Sequence, residues 1–149
     1  MSVRVQQEPF DAAAEYEDFR AADNRGATVM FTGTVRQMSE KAGIAAMTLE
    51  HYPGMTEKAL ADIEKQARAR WQLLDVRIIH RYGRMQPGED IVMVLTASAH
   101  RRDAYEANMF LMDYLKTRAP FWKLEETSGG ERWVEAKQAD DEAASRWEE

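Results

Sequence analysis

Apolar residues recur along the chain with two periods, every second residue in some segments and every third or fourth residue in others. The clearest helix follows the turn at Pro53-Gly54, where apolar residues recur at helical spacing at Leu60, Ile63, Ala67 and Trp71. Thr56 is placed to cap the start of this helix. A longer helix is predicted over residues 100–118, and Pro120 ends it.

Runs of β-branched and aromatic residues predict strands between the helices. These strands cover residues 3–6, 26–36, 44–52, 76–82, 91–97, 121–126 and 132–135, and shorter helices are predicted over 11–22 and 140–147. Pro87-Gly88 and Gly129-Gly130 suit hairpin turns, and residues 37–43 form a predicted loop. The order of elements predicts one α+β domain over residues 1–149, with a mixed sheet and helices packed on it.

Composition limits the chemistry. The 149 residues are 44% hydrophobic and 31% charged, which is a globular composition, and neither a membrane-spanning run nor a signal-peptide core is present. We therefore expect a cytoplasmic protein. With no cysteine, the chain has no thiolate nucleophile or thiolate metal site of its own, so any sulfur chemistry must use sulfur brought by another molecule. The histidines, His51, His80 and His100, are not spaced like a metal pair. We expect no metal and no cofactor, and we interpret His51, at a strand end, as structural.

Positive charge is concentrated in one segment of an acidic chain. The net charge of −6 and the pI near 5.2 argue against general attraction to nucleic acid or to an anionic membrane. Residues 100–124 nevertheless carry five Lys or Arg against three Asp or Glu, whereas residues 125–149 carry nine acids against three bases. This local excess of positive charge predicts a small anionic ligand.

The start of the long predicted helix carries His100, Arg101 and Arg102. Free backbone N–H groups and the positive end of the helix dipole, together with these side chains, would form a pocket for phosphate or carboxylate. The alternative is that Arg101 and Arg102 only pair on the surface with Asp103 or Glu106.

Near the other end of this helix, Lys116 and Lys123 flank Pro120 and two aromatic residues. Apolar walls and neighbouring cations lower the pKa of a lysine, which would allow acid–base or nucleophilic chemistry. The alternative is a solvated lysine at a helix C-terminus. Arg36 ends a predicted strand, where it either reaches a ligand or lies exposed beside a bulge.

Helix length sets a geometric condition on these two clusters. Arg101 and Lys116 lie fifteen positions apart, so their Cα atoms are roughly 22 Å apart along one helix. One small ligand cannot contact both residues within a single chain. If both serve the same pocket, a second copy of the chain must complete it, as a twofold dimer does at two equivalent places.

Five segments together resemble a known family. They read FTGTVR at 31–36, LEHYPGMTEKAL at 49–60, SAHR at 98–101, DYLKTRAPFWK at 113–123 and RWVEA at 132–136. In this order they closely resemble the MoaE family, the large, catalytic subunits of molybdopterin synthase, and the likeness extends from about residue 26 to residue 147.

The resemblance implies an α/β-hammerhead fold with an added antiparallel sheet. It also implies a sulfurtransferase of molybdenum cofactor biosynthesis, which converts cyclic pyranopterin monophosphate (precursor Z) into molybdopterin by installing the dithiolene sulfurs. In this family the sulfur arrives as a thiocarboxylate on the C-terminal Gly-Gly of a small ubiquitin-like subunit. The implied assembly is a heterotetramer built on a homodimer of large subunits.

Residue by residue, the family's essential lysines fall on Lys116 and Lys123, which the resemblance therefore implies are catalytic and bind substrate. It also implies that Arg36, His100 and Arg101 bind substrate, with His100 and Arg101 reaching it from the other large subunit. Arg102 lies outside the shared motif, so we leave it out of the site. The competing hypothesis is a non-catalytic dimeric module that binds a phosphorylated metabolite or a ubiquitin-like partner.

Overall fold

Two four-stranded sheets and four α-helices make up the part of the chain described by the computed structural model, which comprises residues 2–22, 25–36, 44–127, 130–134 and 138–148. The strands are β1 Val3–Gln6, β2 Ala27–Thr34, β3 Ile44–His51, β4 Asp75–Arg81, β5 Gly83–Met85, β6 Asp90–Ser98, β7 Phe121–Thr127 and β8 Gly130–Val134. The helices are α1 Ala12–Arg20, α2 Met55–Arg70, α3 Arg101–Arg118 and α4 Gln138–Ser145, which runs into a 3₁₀ turn at Arg146–Glu148.

The first sheet is mixed and is covered on both faces. Its order is β1-β4-β6-β2, with β1 parallel to β4 and the other pairs antiparallel. Because side chains alternate along a strand, neighbours on β4 enter different cores. Ile78 packs with Phe110 and the apolar faces of α2 and α3, whereas Ile79 packs with Phe19 of α1.

The second sheet is antiparallel, in the order β5-β3-β7-β8. Val35, just past β2, packs in its buried cluster with Met47, Leu49 and Met85, and Phe121 lies against them. The Val35 N–H donates to the Glu89 carbonyl at 2.9 Å, and the Val35 carbonyl accepts from the Gly88 N–H at 2.8 Å. These bonds hold the chain after β2 beside the second sheet.

The α+β class is confirmed, as is a mixed sheet with packed helices and an additional antiparallel sheet. Strand β5 was not predicted. The strands β4 and β6 do pair antiparallel, but the chain between them first joins the other sheet through Gly83–Met85. A three-residue strand is too short to show a period of two. The single-domain prediction stays a prediction, and the predicted loop at 37–43 lies outside the described residues.

The prediction that Thr56 caps α2 is wrong. The N-cap is Gly54, with a φ of 83°, and the Gly54 N–H donates to the Glu57 carboxylate at 3.0 Å. Thr56 lies inside the first turn, fully buried, where its hydroxyl donates to the Tyr52 carbonyl at 2.9 Å and accepts from the Tyr52 N–H at 3.1 Å. Thr56 therefore ties the start of α2 to the end of β3.

None of the helices in the described ranges is long and apolar enough to cross a membrane.

Gly26 is a sensitive position in the first sheet, because a Cβ there would lie 1.9 Å from the backbone oxygen of Ala99. We expect Gly26→Ala to lower the free energy of unfolding by about 2 kcal/mol or more, since backbone cannot move aside as a side chain can. Gly33→Ala is the control: its Cβ would meet a methyl of Val92 at 2.9 Å. This contact is with one side-chain methyl and not with backbone, so we expect a smaller loss than for Gly26→Ala, of about 1 kcal/mol. Urea unfolding of both variants tests this, and equal losses would contradict it.

Candidate functional site

The candidate residues lie at two opposite ends of the first sheet. Helix α3 runs back along β6 and β2, because Thr96 donates to the Ala104 carbonyl at 2.7 Å and Asn108 donates to Val94 and Val29 carbonyls at 3.0 and 3.3 Å. The unbroken helix leaves Arg101 and Lys116 roughly 22 Å apart. The structure therefore does not bring these two residues together within one chain.

Arg36 belongs to the Lys116 end of the sheet. Strands β2 and β6 are antiparallel, with Ala27 opposite Ser98 and Thr34 opposite Asp90. Arg36 is exposed and follows Val35, which packs in the same cluster as Phe121. A register shift between Gly33 and Thr34 shows the bulge that was one of the two predictions for this segment. His100 and Arg101 lie beyond Ser98, at the other end.

Lys116 and Lys123 lie around a buried histidine. His80, on β4, is only 5% exposed, and burial is the main reason that its pKa falls from 6.5 to about 3. The charges of Lys116, Lys123 and His51 lower this pKa further. Charges shift a pKa in this way only from close range. The structure thus places two lysines and two histidines in one region.

Aromatic rings form the wall of this region. The Phe121 ring stacks on His80, with centroids 3.9 Å apart and an interplanar angle of 20°. The His51 ring lies 6.4 Å from Phe121 and 4.2 Å from Tyr82. Trp122 is 49% exposed. Because side chains alternate along β7, Phe121 and Lys123 share one face of the strand and Trp122 lies on the other.

His51 and His80 each form a hydrogen bond through the Nδ1 atom. The Nδ1 atom of His80 lies 2.9 Å from the Arg81 carbonyl oxygen, which can only accept a hydrogen bond. The Nδ1 atom of His51 lies 3.3 Å from the Thr56 hydroxyl, which already donates to the Tyr52 carbonyl. In both cases Nδ1 carries the proton as the donor, which leaves Nε2 as the atom that can accept a hydrogen bond.

Side-chain pairing distinguishes Arg36 and Arg101 from the other described arginines. The surface alternative is correct for Arg102, which pairs with Glu106 at 3.1 Å; this bond, followed by that from Trp71, lowers the pKa of Glu106. Arg36 and Arg101 have no acidic or aromatic partner within the described part of the chain. Each other arginine with a described side chain has one: Arg4, Arg20, Arg25, Arg68, Arg70, Arg77, Arg81, Arg84, Arg118 and Arg146.

The two lysines differ in their surroundings. Lys116 is exposed and makes no ion pair with any acid among the described residues. Lys123 is half-buried in the second sheet, between Leu49 of β3 and Val134 of β8. The lysine that remains uncompensated at the surface is therefore Lys116.

His51 and His80 were not predicted as site residues. They lie on separate strands, and only the tertiary register brings them to the lysines, with His51 opposite Phe121 in the β3–β7 pair. The sequence contained no local signal for this. Among residues 2–22, 25–36, 44–127, 130–134 and 138–148, no group of three or more His, Cys, Asp or Glu is arranged to hold a metal.

The chain is similar to known proteins in both sequence and structure. A sequence model of the family described as "MoaE protein" matches residues 5–118. The chain belongs to the MoaE family. Among its relatives, the molybdopterin synthase catalytic subunit of Cereibacter sphaeroides is 55% identical over 99% of this chain and 100% of that protein. The protein of the same name from Escherichia coli (strain K12) is 55% identical over 94% and 93% of the two chains.

Solved MoaE structures share the fold. A molybdopterin biosynthesis MoaE protein from Burkholderia ambifaria MC40-6 is 51% identical, with a TM-score of 0.84 over 99% of this chain and 98% of that one. A molybdopterin synthase structure from Staphylococcus aureus is 31% identical, with a TM-score of 0.84 over 91% and 98%. The resemblance predicted from the five motifs is confirmed.

The buried His80 makes stability depend on pH. Its pKa is lower in the folded state, at about 3, than the ordinary 6.5, so between these values the unfolded chain binds the extra proton. The free energy of unfolding is therefore unaffected by the protonation of His80 above pH 6.5, and it decreases as the pH falls below that value. We expect His80 to contribute a loss of roughly 2 kcal/mol between pH 8 and pH 5.

Urea unfolding at several pH values tests this contribution. His80→Phe should unfold with a shallower pH dependence than the unmodified chain, whatever its absolute stability. His100→Gln, at an exposed histidine, is the control and should keep the full slope. Parallel pH curves for the unmodified chain and His80→Phe would contradict the prediction.

Proposed function

We propose that this chain is the catalytic subunit of a molybdopterin synthase. It is a cytoplasmic sulfurtransferase that moves sulfur from the thiocarboxylated C-terminus of a small ubiquitin-like subunit to cyclic pyranopterin monophosphate, and so forms the molybdopterin dithiolene. One observation carries the proposal: the two motif lysines lie around one buried histidine, beside a wall formed by Phe121, and Lys116 has no acidic partner in the described ranges. The names of its 55% identical relatives support it.

The chemistry assigns a different task to each lysine. In each transfer the thiocarboxylate sulfur forms a C–S bond to a substrate carbon as a C–O bond at that carbon breaks and its oxygen leaves; water then cleaves the acyl C–S bond and returns the tail to a carboxylate. Negative charge develops on the acyl oxygen during this step, and the Lys116 ammonium stabilises it or donates a proton. Lys123 acts on the pterin side chain as an acid or base. Binding both reactants in one pocket supplies the proximity.

The arginines without acidic partners bind the substrate phosphate. Arg36 lies at the Lys116 end of its own chain, and His100 and Arg101 come from the other copy. A guanidinium group matches the geometry of phosphate oxygens, and α3 presents its positive dipole end beside His100. A phosphate held in this way tethers the half-sulfurated intermediate between the two transfers.

One face of α3 supplies the surface for the second copy. At 100° per residue, Arg101, Tyr105, Met109, Met112 and Lys116 fall within an arc of about 80°. Tyr105 is 64% exposed and Met109 is 53% exposed. An exposed apolar stripe between two basic ends indicates an interface rather than a solvated helix face.

A twofold dimer can bring Arg101 and Lys116 together although they lie roughly 22 Å apart within one chain. If the α3 helices of two copies lie antiparallel with the axis near Asn108 and Met109, Arg101 of one copy lies beside Lys116 of the other. Both contacts form at once, because a twofold interface uses the same patch on both copies. Phe31, on the adjoining edge strand β2, is 39% exposed and lies opposite Val94, on the face of the sheet that α3 covers, so it extends the apolar surface.

Lys116→Ala tests the catalytic assignment. We expect it to fold and dimerise normally, since an exposed lysine near a helix end contributes little to stability, but to lose product formation at least about 100-fold. Lys116→Arg should not restore full activity, because the guanidinium stays protonated and has a different shape. Lys58→Ala, at an exposed lysine of α2, is the control. Wild-type turnover by Lys116→Ala would refute the assignment.

Mixed dimers test the shared pocket. In a dimer of one Lys116→Ala chain and one Arg101→Ala chain, both defects fall in the same pocket and the other pocket is intact. We expect about half of wild-type activity in purified mixed dimers, and about a quarter after random pairing. A mixed dimer of Lys116→Ala with Lys123→Ala is the control and should stay inactive, because each pocket then carries one defect. Inactive Lys116/Arg101 mixed dimers would exclude this shared pocket.

The competing function, a module that binds without chemistry, makes a different prediction. Purified protein mixed with the thiocarboxylated small subunit and precursor Z should yield a dithiolene product, detected by mass spectrometry. A binding module would release both ligands unchanged.

A further inference from the structure

The spacing between the two lysines depends on a junction between two elements. Lys116 lies on α3 and Lys123 lies on β7, and only Ala119 and Pro120 separate these elements. No single helix or strand contains both lysines. Their separation is therefore set by the angle at which β7 leaves the end of α3.

Phe121 anchors this junction. Its N–H donates to the Ala119 carbonyl at 2.9 Å, which turns the chain sharply, and it pairs with His51 of β3. Its ring stacks on His80 at 3.9 Å. A movement of the junction therefore has to displace the Phe121 ring from the His80 ring.

His80 is the fixed side of the stack. It lies on β4, between β1 and β6, opposite Val5 and Val92. Its Nδ1 atom is held by the Arg81 carbonyl at 2.9 Å. Arg81 is itself buried and donates to the Gln7 carbonyl at 3.0 and 3.1 Å. The His80 ring cannot turn without breaking its hydrogen bond to the Arg81 carbonyl.

The imidazole of His80 is uncharged, which allows it to lie close to two lysines. The titratable groups around the ring are Lys116 of α3, Lys123 of β7 and His51 of β3, and Arg81 follows it on β4. Because burial, and then the charges of Lys116 and Lys123, lower the pKa of His80 to about 3 despite the hydrogen bond to the Arg81 carbonyl, the ring is neutral at physiological pH. A neutral ring can pack against Phe121 without adding a further positive charge near the lysines.

We propose that His80 is a positioning residue: by stacking on Phe121 it fixes the helix–strand junction that sets the spacing between Lys116 and Lys123. The inference rests on the proposed function only where activity is measured. The spacing itself can be tested on the protein alone.

Two substitutions separate the stack from the hydrogen bond. His80→Phe keeps a flat ring but loses the bond to the Arg81 carbonyl. His80→Asn keeps a donor near the position of Nδ1 but loses the ring. Phe121→Leu removes the ring from the other side of the stack and keeps the apolar bulk, so it provides a second test if His80→Asn does not fold. Circular dichroism and thermal unfolding establish which variants are folded.

The first readout is chemical crosslinking with a short amine-reactive reagent, quantified by mass spectrometry. The Lys116–Lys123 product is divided by the Lys58–Lys65 product, a pair with the same seven-residue separation that lies on one rigid helix, α2. We expect this ratio to change by about threefold or more in His80→Asn and Phe121→Leu, and by less than about twofold in His80→Phe, because only the first two release the junction. An unchanged ratio in the folded ring-deletion variants, or an equal change in His80→Phe, would overturn the proposal.

The second readout is kinetic, with thiocarboxylated small subunit and precursor Z. Misplacing a catalytic group by about 1 Å costs on the order of 100-fold, so kcat in His80→Asn should fall at least about tenfold below kcat in His80→Phe, with KM nearly constant. A loss confined to KM, or a greater loss in His80→Phe, contradicts the positioning role. If the unmodified protein forms no dithiolene product, the sulfur-transfer proposal fails, while crosslinking still decides the role of His80.

Discussion

The straight length of α3 is the constraint on which the arrangement of this site depends. An α-helix rises about 1.5 Å per residue, and nothing interrupts the helix between Arg101 and Lys116. The side-chain bond from Asn108 to the Val29 and Val94 carbonyls ties its middle to β2 and β6, so the helix cannot shift to bring its ends together. The two basic clusters at the ends of α3 can contact the same ligand only if the α3 helix of a second copy lies beside the first. The exposed apolar stripe on α3 is the surface that this arrangement requires.

Electrostatics limits what the Lys116 end can hold. Like charges in one region repel, and the repulsion grows as water is excluded. Most arginines in the described ranges avoid this cost by pairing with acids, as Arg102 does with Glu106. In the region around Lys116 and Lys123 the buried imidazole of His80 stays neutral, which limits this repulsion, and under the proposed function an anionic substrate supplies the counter-charge to Lys116.

The two sheets have separate tasks in this arrangement. The first sheet is covered on both faces and provides a rigid base, on which β4 carries His80. The second sheet carries Lys123 and reaches the first through Val35 and Phe121. Because Phe121 belongs to the second sheet and stacks on a residue of the first, it transmits the rigidity of the base to the lysine pair.

The sequence alone determined the α+β class, the long helix with its proline stop, the family and the candidate residues Arg36, His100, Arg101, Lys116 and Lys123, because periodicity, punctuation and motif residues are local properties of the chain. It also determined the 22 Å separation, since helix rise is constant. Tertiary structure decided the rest. Strand β5 forms only because Gly83–Met85 pairs with β3 of the second sheet, which is more than thirty positions away in the chain. His80 reaches the lysines only through strand register and stacking, and no local pattern records a contact between His80 and Phe121, which are 41 positions apart.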